Sequence, residues 1–387
     1  MHYRDSIFGQ LLKPICRRRF QKSVERHGAD AYDKSFKSFD HLVTMIYAQL
    51  SGAKSLRALE TSWNANAHHH YHLGAGPIAR STLADANGRR PVAVFAETFC
   101  DLSGLAERVL RREGKAMLRL IDATPIPLPD IIEWAEWNGR TRGLKLHLVY
   151  APVQDRPTEF EITAATVNDV EFGRTVPVQA GAFYVFDKAY CDYSWWKEID
   201  DKDAFFVTRA KANVRYKTLR KRPLKRKNGD GFTVLSDKEV VLKTQGRYKL
   251  PIPLRHIVVR REDGGKLTII SNDRVHSAVR IAAMYKARWQ IELLFRWIKQ
   301  HLVIRNFLGR SENAIRLQII AAMIAYLLLR IAARQSRRVM PAIRFAELVA
   351  SCLFVRKPMP HIDKPPPINP SKPKPRGFVG QMELSYA

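Results

Sequence analysis

The chemistry legible in this chain rests on three carboxylates and one spacing. Asp122 lies in Leu-Ile-Asp-Ala-Thr-Pro and Asp187 in Val-Phe-Asp-Lys-Ala-Tyr, and each is read as closing a strand. Glu292 lies in the pattern Tyr285-x-x-Arg288-x-x-x-Glu292-x-x-x-x-x-x-Lys299, within residues 284–299, which lack Gly and Pro and read as one helix. At about 100° per residue, the four polar residues share a sector of about 60° along about 21 Å of helix. Met284, Ile291, Leu294, Phe295 and Ile298 line an adjacent face fit to pack on a core. Two strand-end aspartates and a helix glutamate can converge on one point. Hard oxygen ligands of this kind hold Mg²⁺, completed by water and phosphate oxygens. Two such ions about 3.5–4 Å apart suit an in-line displacement at phosphorus. The helix taken alone leaves a second reading open, because Arg-x-x-x-Glu pairs also support helices by a few tenths of a kcal/mol.

Composition narrows the partner. The 387 residues carry 65 Lys+Arg against 37 Asp+Glu, a net charge of +28, which points to a polyanion such as nucleic acid. With 46% hydrophobic residues the chain can also bury a large core, as an enzyme that grips nucleic acid would. Cys16, Cys100, Cys191 and Cys352 form no Cys-x-x-Cys pair, so zinc-ribbon chemistry is not expected and a reduced cytoplasmic setting is. No signal-peptide core opens the chain, and the longest apolar run, residues 319–329, is shorter than the roughly 20 residues of a bilayer span, so no membrane is expected. His68, His69, His70 and His72 are too closely spaced to converge on a metal from a regular element and read as a surface loop.

The elements that must position the acids follow from periodicity. Residues 1–110 read as helical and as a DNA-binding domain, with helices at 39–50 and 55–63 and a third begun by Ser81 or Thr82 as cap. Such a set fits a helix-turn-helix reader or an ordinary bundle, and both stay open. Residues 111–208 alternate strands (116–122, 144–150, 159–163, 182–187, 204–208) with a helix at 193–200 capped by Asp192, an α/β core. Residues 209–275 begin with a basic stretch holding Arg220, Lys221 and Arg222 and continue with strands at 232–235, 238–242 and 256–260, a β-rich insertion. Residues 276–356 return to helices, and 357–387 form a Pro/Lys-rich tail expected to be unfolded. Among other acids, Asp130 and Glu133 beyond Pro125, Pro127 and Pro129 are expected to be exposed, and Asp200, Asp201 and Asp203 to be a solvated loop.

The order Asp122, Asp187, Glu292, the insertion before the glutamate and the Tyr285/Arg288/Glu292/Lys299 spacing together resemble the DDE transposases of bacterial insertion sequences, specifically the IS-four family with its Y-R-E-K signature. The resemblance covers most of the chain. It implies an RNase H-like catalytic core with a β-rich insertion, preceded by a helical DNA-binding domain. It also implies two Mg²⁺ ions, with Mn²⁺ able to substitute, on Asp122, Asp187 and Glu292. Tyr285, Arg288 and Lys299 would meet phosphates of the transposon end, and Trp289 would either stack on a displaced base or pack. Arg80, Arg89, Arg90, Arg220, Lys221 and Arg222 would add DNA contacts. The implied partners are the double-stranded terminal inverted repeats, target DNA and a second copy in a synaptic homodimer, in the bacterial cytoplasm at the nucleoid. A metal-dependent nuclease on the same fold, or an inactive DNA-binding relic, are the alternatives.

Overall fold

A computed structural model of the protein describes residues 5–112, 117–137, 139, 142–211, 214–224, 227–243, 250–302, 304, 306–336 and 340–364. Seven helices open the chain: α1 (Ile7–Leu12), α2 (Arg17–Arg26), α3 (Ser38–Ser51), α4 (Leu56–Asn64), α5 (His70–Leu73), α6 (Arg80–Arg89) and α7 (Val92–Arg112). The most deeply buried of the early ones, α3, starts where the Asp40 carboxylate accepts from the Lys37 backbone N–H at 2.8 Å. It stops at Gly52, whose φ of 70° is the left-handed conformation that glycine adopts without strain. Neither Ser81 nor Thr82 caps α6: the helix begins at Arg80, whose backbone N–H donates to Glu60 at 2.8 Å. A carboxylate from the neighbouring α4 thus does the work expected of a local hydroxyl.

Strands β1 (Leu118–Pro127), β2 (Gly143–Ala151) and β3 (Arg156–Ala164) form an antiparallel meander. After α8 (Asp169–Thr175), β4 (Phe183–Phe186) lies parallel to β1, and α9 (Tyr193–Asp201) carries the chain to β5 (Phe205–Arg209), parallel to β4. Asp192 caps α9, accepting from the Trp195 N–H at 2.8 Å. The order β3-β2-β1-β4-β5 is the RNase H-like arrangement. Asp122 does not close its strand, since β1 runs on to Pro127; β4 is what stops, at Phe186 opposite Ile121. Beyond that point β1 is paired on one side only, by β2, which is why Pro125 and Pro127 fit without breaking a second ladder.

The basic insertion does not stand apart. Its strands β6 (Tyr216–Lys221), β7 (Asn228–Gly229), β8 (Phe232–Leu242), β9 (Leu254–Arg261) and β10 (Lys266–Ser271) continue the same ten-stranded sheet in the order β5-β10-β9-β8-β6, with β7 paired to β8. The two segments expected at 232–235 and 238–242 are one strand, with a register shift between Val234 and Ser236. A buried ion pair, Arg255 with Asp237 at 2.8 Å and 2.5 Å, braces it, and Arg255 also donates to the carbonyls of Asp273 and His276 where the chain leaves β10.

Four helices complete the described chain: α10 (Ala278–Ala287), α11 (Trp289–His301), α12 (Glu312–Gln335) and α13 (Ala342–Ser351). The single helix expected over 284–299 is therefore two, joined at Arg288 by tighter i→i+3 hydrogen bonds, Arg288 N–H to Tyr285 O and Ile291 N–H to Arg288 O, both 3.1 Å. At 24 residues α12 is long and apolar enough to cross a bilayer by length and composition. It is instead buried against α3, α6 and α7 of the N-terminal region, as a core helix is. Those N-terminal helices share one hydrophobic core with the catalytic region. Residues 357–364 are also placed: Met359 and Ile362 are buried, and the Met359 N–H donates to Gln10 at 2.9 Å. The rest of the expected tail, 365–387, lies outside the described residues.

Candidate active site

The sheet has two faces, each with its own core. Leu120 of β1 and Val185 of β4 lie on the side of α10–α12, whereas Ile121, Tyr184 and Phe186 lie on the side of α8 and α9. Side chains alternate along strands, so Asp122 and Asp187 follow Leu120 and Val185 onto the α10–α12 face. The parallel register makes them the next pair after Ile121 and Phe186, at the point where β4 ends. Helix α11 packs on β1 through that face, with Ile291, Leu294, Phe295 and Ile298 turned inward, and so sets Glu292 above Asp122.

The centre of the site is Arg288. Its Nη1 donates to Asp122 Oδ2 at 3.0 Å and its Nη2 to Glu292 Oε1 at 2.6 Å, with the Arg288 and Asp122 side chains 17% and 18% exposed. Burial pushes the Asp122 carboxyl up to about 6 against the pull of Arg288, and the charges of Glu292 and Asp187 add to the rise. At Arg288 burial works the other way, but Asp122, Tyr285 and Glu292 outweigh it and hold the guanidinium above its ordinary value. The three carboxylates thus reach one face but not one ligand cluster. Among the described residues no three Asp, Glu, His or Cys side chains are gathered as a metal-holding group. The physical reason is charge: carboxylates converging in a half-buried site draw in the nearest cation, and the signature's own arginine is that cation.

Two clefts flank this centre. One, of 420 Å³, is lined by Asp122, Thr124, Glu292, Arg296 and Lys299, and Lys299 Nζ donates to Thr124 Oγ1 at 2.6 Å. The other, of 510 Å³, opens between α10 and the insertion, with Arg209, Phe232, Tyr285, Arg288 and Trp289 on its wall. Tyr285 is buried at 9% exposure, which raises its hydroxyl pKa, and Arg288 lies 5.9 Å from its ring centre. Trp289 is 51% exposed, so it does not pack into the core, and the Arg296 guanidinium lies 5.8 Å from its ring. The sequence places Arg209 only at the start of the basic stretch and gives Thr124 no role. The signal for Thr124 was its position two residues past Asp122, on the same strand face.

The other expected DNA contacts lie away from this centre and differ in availability. Arg90 is buried: its guanidinium donates to Asp33 at 2.7 Å, to the Lys37 carbonyl at 2.9 Å and to the Phe36 carbonyl. It therefore braces the loop before α3 and has no face toward solvent. Arg89 is exposed but paired with Asp85 and Asp33. Arg220 pairs with Glu239 at 2.7 Å, and Arg222 donates to the Arg274 carbonyl at 3.1 Å. Lys221 ends the exposed edge strand β6. Arg80 lines a 440 Å³ cleft with Lys54, Arg57, Phe307 and Leu308. In the histidine run, His70 is buried and stacks on Trp63, and His69 stacks on Phe354.

Comparison with known proteins adds the relatives. Residues 113–328, more than half of the chain, match the family described as the transposase DDE domain, and residues 3–76 match a domain of unknown function. A protein named as a transposase in Sinorhizobium fredii is 58% identical over 79% of this chain and 85% of its own length. One named for insertion sequence element IS4SA in Synechocystis is 25% identical over 65% of this chain and 71% of its own. Among solved structures, a piggyBac transposase synaptic complex with hairpin DNA aligns at 8% identity over 94% of this chain and 83% of that one, with a TM-score of 0.46, too loose a likeness to argue from. Domains of this family act on DNA with divalent metal ions. With two carboxylates meeting at the end of β4 on an RNase H-like sheet, this chain belongs to the DDE-domain transposases, which cut DNA strands and join them to new sites.

Proposed function

We propose that this transposase cuts DNA at the terminal inverted repeats of its own element, releases the element through hairpin ends and joins its 3′-hydroxyls to target DNA. One observation carries the reading: Asp122 from β1 and Glu292 from α11 meet on a single cationic centre where β4 ends. The donor set fits Mg²⁺, or Mn²⁺ in its place, because the groups are acidic oxygens turned to one sheet face beside an open cleft. Asp122, Asp187 and Glu292 would hold two such ions, which when bound activate the attacking hydroxyl and stabilise the leaving oxygen. Arg288 already lines the larger cleft and would turn from the carboxylates to a phosphate of the element's end. Lys299 would grip a second phosphate from the smaller cleft, and Tyr285 would orient Arg288. Trp289 offers an exposed aromatic face to a base displaced from the stack.

Farther out, Lys54, Arg57 and Arg80 would hold the DNA backbone at their cleft, and Lys217 and Lys221 along the β6 edge, independently of base sequence. Two copies would pair the two ends, working at the bacterial nucleoid. Asp122→Asn, Asp187→Asn and Glu292→Gln are each expected to lower end cleavage by at least about 10³-fold while end binding persists, by analogy with the loss of other essential charge-stabilising groups. Cleavage at wild-type rate in all three would sink the assignment. Cleavage without joined products in the wild type would mark a nuclease instead.

A further inference from the structure

One segment, at the far end of the strand that carries Asp122, goes against the charge of the whole molecule. Between Pro127 of β1 and Gly143 of β2, residues 129–137 carry Asp130, Glu133 and Glu136 and no base, with Arg140 and Arg142 following before β2, in a chain of net charge +28. All three acids are exposed. Interleaved with them, Ile131 is 62%, Trp134 37% and Trp137 58% exposed, which gathers three large apolar side chains on one surface hairpin. Exposed apolar surface of this kind, rimmed by charge, marks interaction sites, and tryptophan is the residue most enriched at the energetic centres of interfaces.

The hairpin is held in shape before anything binds. Leu128, Ile132 and Ala135 are buried beneath it. Arg142 is turned back to donate to the Glu133 and Ala135 carbonyls at 2.9 Å and 3.1 Å. The Trp134 indole N–H donates at 2.8 Å to the Arg310 carbonyl, on the stretch that follows α11. Little ordering entropy is left to lose on association.

We propose that this acidic, aromatic hairpin docks on a basic face of a second copy of the same chain, each copy giving one hairpin and receiving the other about a twofold axis. Charge selects this occupant. Three acids repel a phosphodiester backbone, whereas two chains of +28 repel each other everywhere except where acid meets base. The hairpin begins on the strand that carries Asp122 and is tied to the segment after the helix that carries Glu292, so the pair would bring two catalytic centres together. Only this last step, what the pair is for, rests on the transposase reading.

Sedimentation velocity of the full chain, alone and with a short generic duplex, tests the docking. Wild type is expected to form a reversible two-chain species that weakens with salt. Both I131D/W137S and D130K/E133K should associate at least about tenfold more weakly, and neither should bind the duplex less well per chain. E198K/D201K, the same charge change on α9 across the sheet, should leave association as in wild type. A single-chain wild type at all concentrations, or variants that pair as wild type does, overturns the proposal. So does a loss of duplex affinity in I131D/W137S, which would place the hairpin on DNA. Cleavage that survives loss of Asp122 would refute the functional reading and leave this result untouched.

Discussion

Arg288 shows how much one side chain can be asked to do. It neutralises Asp122 and Glu292 where they converge, and the same guanidinium lines the cleft in which DNA phosphate is proposed to sit. Arg288→Ala should therefore affect both stability and DNA binding. Two carboxylates lose a buried counter-charge, worth about 2–3 kcal/mol in hydrogen bonds to charged groups, and the midpoint of unfolding should fall accordingly. Lys299 donates to the Thr124 hydroxyl rather than bridging Asp122 and Glu292, so Lys299→Ala should lower the melting temperature less than Arg288→Ala does. Each variant should flatten the salt dependence of duplex binding by about one unit in the log–log slope. An unchanged slope would place the missing cation away from phosphate. The signature's residue types and spacing were legible from the sequence. That its arginine sits between the carboxylates was not, because that depends on α11 packing against β1.

Elements are held together by polar groups that sequence patterns do not flag. His41 on α3 is fully buried, with Nε2 2.7 Å from Asn87 Oδ1 on α6. Burial, helped by nearby Arg90, lowers its pKa from 6.5 to about 3. The unfolded chain thus takes up a proton at higher pH than the folded one does. This stability is fully present above pH 6.5 and is lost as pH falls toward 3, amounting to about 2 kcal/mol by pH 5. His41→Gln should melt with less acid sensitivity between pH 7 and pH 5; the same pH dependence as wild type would mean that another group governs it. Amphipathic spacing located α3, but the cap of α6 was misplaced because its partner, Glu60, comes from another helix. Helix 284–299 was read as continuous because the break at Arg288 needs neither Gly nor Pro, only tighter hydrogen bonds.

At the scale of the molecule, α12 joins what the sequence divided. Its apolar surface is covered by α3, α6 and α7, and Asn313 at its start donates to the carbonyls of Asn87 and Arg90, both at 2.9 Å. A fragment beginning at residue 113 should therefore expose that helix, bind hydrophobic dye and aggregate. A soluble, cooperatively folding fragment would show that the N-terminal helices are dispensable to the core. By itself the sequence determined the basic character, the order and types of the three acids, the Tyr285–Lys299 spacing and most strands of the catalytic sheet, because charge and local periodicity are properties of residues and their near neighbours. Only the tertiary structure decided that the insertion extends the same sheet, that Arg90 is buried while Trp289 is exposed, that Arg288 bridges Asp122 and Glu292, and that an acidic segment exposes two tryptophans at the end of β1. Each of these depends on which distant segments pack together, and burial and pairing exist only once that packing is made.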